Sequence, residues 1–170
     1  MKETPQEYIQ RMLGNVQGQD PLKTQAATAK KLERLVKGVP TSKLRKRPAP
    51  DKWSVAEILA HLADTEIVGS WRIRSILGAP GTPIQAFDQD VWAKVGRYRK
   101  LDAHKCLEMF CILREHNLTL LRSLKPRQWR MYGMHAERGK ETFRRCVTLI
   151  AGHDFNHLNQ IRAIRKQFHC

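Results

Sequence analysis

A chain of 170 residues suits one domain and is too short for two with comfortable cores. Hydrophobic residues at 41% and charged residues at 28% exclude wholesale disorder, and no apolar run approaches the ~18–20 residues of a membrane helix. The 31 Lys+Arg against 16 Asp+Glu leave a net charge of +15, a surface that attracts nucleic acid, acidic headgroups or an acidic substrate and carries no information about fold.

The first five residues, Met1-Lys2-Glu3-Thr4-Pro5, lack the apolar stretch of a secretory signal, so a cytoplasmic location is expected. A short helix is expected around Tyr8, Ile9, Met12 and Leu13. The first long helix follows Asp20-Pro21, an N-cap with proline at the first helical position. Leu22, Ala26, Ala29, Leu32, Leu35 and Val36 then recur every three to four residues, and Gly38 and Pro40 end it. Arg47-Pro48-Ala49-Pro50 reads as a loop before the next helix.

Ser54 and Glu57 have the spacing of a capping box, flanked by Trp53 and Ile58 as a hydrophobic staple would be. That second helix runs to about Leu77, where Gly78 stops it. A third spans about Ala103 to Leu124, ended by Lys125-Pro126. A fourth spans about Thr142 to Phe168. The segments 78–101 and 125–141 read as irregular connections: they carry aromatics but no convincing alternation with hairpin turns. The expected fold is all-α: a four-helix bundle in a single domain, residues 1–170, with long connections that would cover a site. Of the four cysteines, Cys106, Cys111 and Cys146 read as small core or near-core residues and Cys170 as an exposed terminus.

The sharpest chemical signal is a set of histidines. His153 and His157 lie one turn apart on the fourth helix, in the row Cys146, Ile150, His153, His157, Ile161, Ile164, Phe168. Burying two imidazoles in that row is unfavourable unless both are hydrogen-bonded or ligated. His61, one turn after Ile58 on the second helix, can face the same interior. Three neutral imidazoles from facing helices suit a divalent transition metal and leave a position open for water or substrate. The same pattern also describes satisfied core histidines, and the residues alone leave both readings open. His104 and His116 read as solvent-facing or partly buried, and His135 as a residue that could line a site mouth. Asp64 and Glu66, close behind His61, read as ligand, base or surface charge, and Asp154 as solvent-facing or bonded between helices.

Four stretches in this order resemble the DinB-like family of metal-binding four-helix bundles, in the damage-inducible/thiol-transferase superfamily. They are Lys52 to Glu66, Phe87 to Ala93, His135 to Gly139 and Gly152 to Ile161. The resemblance implies a divalent metal, often nickel or zinc, held by His61, His153 and His157. It also implies, for some relatives, activation of a low-molecular-weight thiol for transfer or isomerisation. A divalent cation holds a bound thiol as the nucleophilic thiolate. The same centre could instead ionise a water and serve a metal-dependent hydrolase. The expected enzyme takes a small-molecule substrate, with Asp90 and His135 shaping the substrate mouth, and a homodimer is plausible. Two rival readings are a non-catalytic metal-binding bundle and a basic nucleic-acid-binding bundle. Against the second, the chain carries no recognised helix-turn-helix, zinc-finger or aromatic RNA-binding motif.

Overall fold

The computed structural model describes residues 3–169. Thr4 and Glu7 form a capping box that starts α1 (Pro5–Gly14). The Asp20 carboxylate accepts from the backbone N–H groups of Leu22 and Lys23 at 2.8 and 3.1 Å and starts α2 (Pro21–Val36). A single turn, α3 (Thr41–Leu44), interrupts the crossover to α4 (Val55–Gly78). The capping box expected there is present: Glu57 N–H donates to Ser54 Oγ at 3.3 Å, and Ser54 N–H donates to Glu57 Oε2 at 2.9 Å. Trp53 packs against the core cluster that contains Ile58. After β1 (Pro83–Ile84) and α5 (Gln89–Val95) comes α6 (Ala103–Ser123), capped by Asp102. β2 (Tyr132–His135) and β3 (Gly139–Thr142) then lead without a break into α7 (Phe143–Phe168).

The four long helices α2, α4, α6 and α7 form the bundle. α4 packs on α6 and α7, and α2 packs on the same two. The ring order is therefore α4-α6-α2-α7, and each pair of long helices joined by a crossover from α2 to α4 or from α6 to α7 stands diagonally. Diagonal placement is what the long connections make possible. A buried apolar cluster from Leu32 and Val36 through Leu59 and Leu62 to Phe110 and Ile161 fills one part of the interior. A second cluster gathers Ile73, Ile76, Leu121, Phe143 and Val147. Cys106 and Cys146 are buried and Cys111 is half-buried; Cys170 lies outside the described residues. No helix among the described residues is long and apolar enough to cross a membrane.

The two segments read as irregular carry short strands and meet in one small sheet of order β1-β2-β3. β1 runs parallel to β2, pairing Ile84 with His135, and β2 runs antiparallel to β3, pairing His135 with Gly139. The buried positions of β2 are Gly133 and His135, with Met134 exposed between them. Inward residues that are a glycine and a histidine produce no apolar alternation, so the period of two is invisible in the sequence. A Cβ on Gly133 would lie 2.4 Å from Ile84 Cδ1, so glycine is what lets β1 sit against this strand.

Candidate metal centre

His61 on α4 and His153 and His157 on α7 are all buried. His61 Nε2 lies 2.9 Å from His153 Nε2, and His157 Nε2 lies 3.0 Å from the same atom. The three donor nitrogens all fall within 4.8 Å of one another, and they form the only His/Cys/Asp/Glu group of this kind among the described residues. Trp53 covers His61, with ring centroids 4.9 Å apart.

Tautomers show why this arrangement fits a cation. His157 Nδ1 lies 2.7 Å from the Gln160 amide oxygen, an acceptor, so Nδ1 carries the proton and the Nε2 lone pair faces the cluster. His153 Nε2 can donate to that lone pair only by being protonated, and it then has nothing to offer His61 Nε2. If instead it is unprotonated, two lone pairs face each other at 3.0 Å. A cation accepts all three lone pairs together and removes the conflict. The Nδ1 atoms of His61 and His153 have no protein partner.

The electrostatics agree. Burial, then proximity to His157, pushes the His61 imidazole down to about 3. Burial pushes His157 down to about 4 against the opposing bond to Gln160. Burial, then its two histidine neighbours, holds His153 well below the ordinary value. All three are therefore neutral at pH 7, the state in which imidazole is a ligand.

A buried ion network clamps the helices that bear these histidines. Arg114 on α6 donates to Asp154 at 2.5 and 3.1 Å, to Glu66 at 2.6 Å and to the Gln25 carbonyl at 3.1 Å. Asn117 adds a bond to Glu66 at 3.1 Å. One guanidinium thus ties α2, α4, α6 and α7 together beside His153. Asp154 bonds between helices, one of the roles read for it, whereas Glu66 serves Arg114 and not the histidines. Asp64 accepts from the Tyr98 hydroxyl at 2.5 Å. Sequence reasoning did not single out Arg114. Its signal is its place in the inward row Leu107, Phe110, Arg114, Asn117, Leu121, whose spacing is that of a core face.

Two cavities meet at His153. One, of about 320 Å³, is bounded by His61, His153 and His135, the last buried on β2. The other, of about 460 Å³, is bounded by His153, His157 and Asp90, the last exposed on α5. His104 and His116 are exposed.

The model of the DinB superfamily matches residues 26–161. A protein of Oceanobacillus iheyensis named "Putative metal-dependent hydrolase OB0782" is 25% identical over 115 residues, 68% of this chain and 66% of its own length. This chain therefore spans just under two thirds of that relative. The uncharacterised protein YuaE of Bacillus subtilis is 22% identical over 144 residues, 78% of this chain and 89% of its own. Among solved structures, YfiT of Bacillus subtilis superposes with a TM-score of 0.81 at 20% identity, over 87% of this chain and 85% of its own. It is described as a probable metal-dependent hydrolase with an unusual four-helix bundle topology. With most of the chain covered by the family model, and its bundle shared with YfiT, this protein belongs to the DinB superfamily.

Proposed function

We propose that His61, His153 and His157 hold a divalent transition metal, nickel or zinc first among the candidates, and that the protein is an enzyme acting on a small molecule there. The observation that carries this reading is the convergence of three neutral Nε2 atoms where two cavities meet. When bound, such an ion supplies Lewis acidity, lowering the pKa of a water or a thiol. The chain's own residues hold and orient. Gln160 fixes the His157 tautomer, Trp53 covers the His61 ring, and the Arg114 network keeps α4 and α7 in register.

Hydrolysis is the reaction we place first, because the names given to the Oceanobacillus protein and to YfiT both point there. Thiol transfer or isomerisation is the second reading. It is favoured by the donor set: three neutral ligands leave the ion's full charge, which attracts an anion such as a thiolate. The test is a screen of metal-reconstituted protein against activated esters and amides, and separately against low-molecular-weight thiols paired with an electrophile. Ester or amide turnover absent from His153→Ala/His157→Ala supports hydrolysis. Turnover that requires the thiol supports the second reading. Turnover in neither, with metal bound, leaves a non-catalytic metal-binding bundle.

A further inference from the structure

The cavity over His61 and His153 has a second wall whose polar groups the three-histidine cluster does not use. His135 is only 3% exposed. Its Nδ1 accepts the Glu137 backbone N–H at 3.2 Å. A neutral imidazole has one N–H, so this bond places the proton on Nε2. Nε2 is buried and has no protein partner, which makes it a donor without an acceptor. Burial, then the charges of Arg138 and Arg72, pushes this imidazole down to about 4, so the ring is neutral at pH 7.

Arg72 of α4 borders the same cavity and is half-buried. Its Nη2 donates to the Gln85 carbonyl at 2.7 Å, and among the described residues no carboxylate lies within ion-pairing distance of it. Arg138 is taken by Glu141, through Nε at 3.2 Å and Nη2 at 2.8 Å. The remaining acids of the wall do not neutralise Arg72: Glu3 pairs with Arg11 and Glu137 is exposed. This wall therefore holds one cation that lies over the Phe87 ring at 5.8 Å with no carboxylate in ion-pair contact, and one orphaned N–H close enough to feel its charge. Each costs free energy as it stands, and one ligand group satisfies both.

We infer that Arg72 and the His135 Nε2–H form an oxyanion subsite that takes a carboxylate or phosphate group of the substrate, whose other end then reaches His61 and His153 across the cavity. The inference rests on the reading of the three histidines as the reactive centre. A cavity of about 320 Å³ suits a small metabolite with one such group. Guanidinium beside a neutral N–H donor is a pairing suited to an oxyanion, and an amide in the same place leaves the arginine charge uncompensated.

The test titrates acetate and inorganic phosphate, with acetamide as the neutral control, into the metal-loaded protein and into the same protein stripped by a chelator. The His135 ring is followed by long-range proton–nitrogen correlation, assigned with His135→Gln. The expected result is an Nε2–H tautomer whose signal shifts saturably with an oxyanion in both states and not with acetamide. The preferred anion identifies the group: acetate a carboxylate, phosphate a phosphate ester. Arg72→Gln weakens that binding by about tenfold or more, Arg72→Lys weakens it less, and both leave metal content unchanged. An unshifted His135 signal, an equal response to acetamide, or undiminished affinity in folded Arg72→Gln overturns the subsite. If Arg72→Gln does not fold, His135→Gln decides, its oxyanion affinity read by isothermal titration calorimetry beside the parent: it loses at least a few-fold in affinity if the subsite is real, and none if it is not. A protein that binds no metal yet shifts His135 keeps the subsite and loses the metal reading; one that binds metal without the shift does the reverse.

Discussion

At the scale of single residues, the site depends on groups whose burial is tolerable only because of their partners. Arg114 is the clearest. Its side chain is 2% exposed and faces Asp154 and Glu66, themselves 1% and 3% exposed. Arg114→Met leaves two buried carboxylates without a cation, and we expect a loss of about 3–5 kcal/mol of stability by chemical denaturation; a loss under about 1 kcal/mol would show that the network contributes little. His135 gives a pH prediction. Its folded imidazole sits near 4 against an ordinary value of 6.5, for burial and the nearby Arg138 and Arg72 charges outweigh the attraction of Glu141. The unfolded chain therefore takes up the proton first as pH falls. This contribution to stability is complete above pH 6.5 and is lost progressively toward pH 4. Thermal unfolding across that window should show a shallower decline in His135→Gln than in the parent; identical slopes would mean that the ring is not held neutral.

At the scale of elements, the middle of α7, which carries His153, is shaped by its contact with α1. A Cβ at Gly152 would fall 1.9 Å from the Met12 carbonyl oxygen and 2.6 Å from its carbon, both backbone. Asn15 donates to the Gly152 carbonyl at 3.2 Å, and Arg11 donates to Asn156 at 2.8 Å. Gly152→Ala cannot keep these contacts. We expect α1 to lift from α7, visible as faster amide exchange over residues 5–14 and a cost of about 1–3 kcal/mol; unchanged exchange would contradict the close approach. The helices themselves were legible because their signals are local. Asp20 and Ser54 cap where their spacing says they should, and the inward row of α7 passes through His153 and His157. The sheet was not legible, since β2 buries Gly133 and His135 in place of branched apolar residues, and pairs with β1 across some fifty residues of chain. Arg114 escaped for a related reason: its carboxylate partners lie 48 and 40 residues away, and no short motif marks an ion pair between helices.

At the scale of the whole molecule, the bundle brings one histidine from α4 and two from α7 to a single point, and the small sheet closes a wall over them. The surface charge of +15 is a separate property. It is expected to give nucleic-acid shifts that ignore sequence and vanish at modest salt; shifts that survive salt and depend on sequence would revive the basic-bundle reading. Metal that binds only the folded chain must stabilise it. A chelator should therefore lower the melting temperature of the parent by several degrees, and leave His153→Ala/His157→Ala unmoved; equal shifts in both would place the metal elsewhere.

The most direct test of the metal centre is elemental analysis of untagged protein, after reconstitution with nickel or zinc and removal of free ions, beside His153→Ala/His157→Ala. The account predicts about one divalent ion per chain in the parent and close to none in the folded double variant, the outcome for three converging lone pairs reduced to one. No metal in either protein, or equal metal in both, would contradict it and leave His61, His153 and His157 as core residues of the bundle.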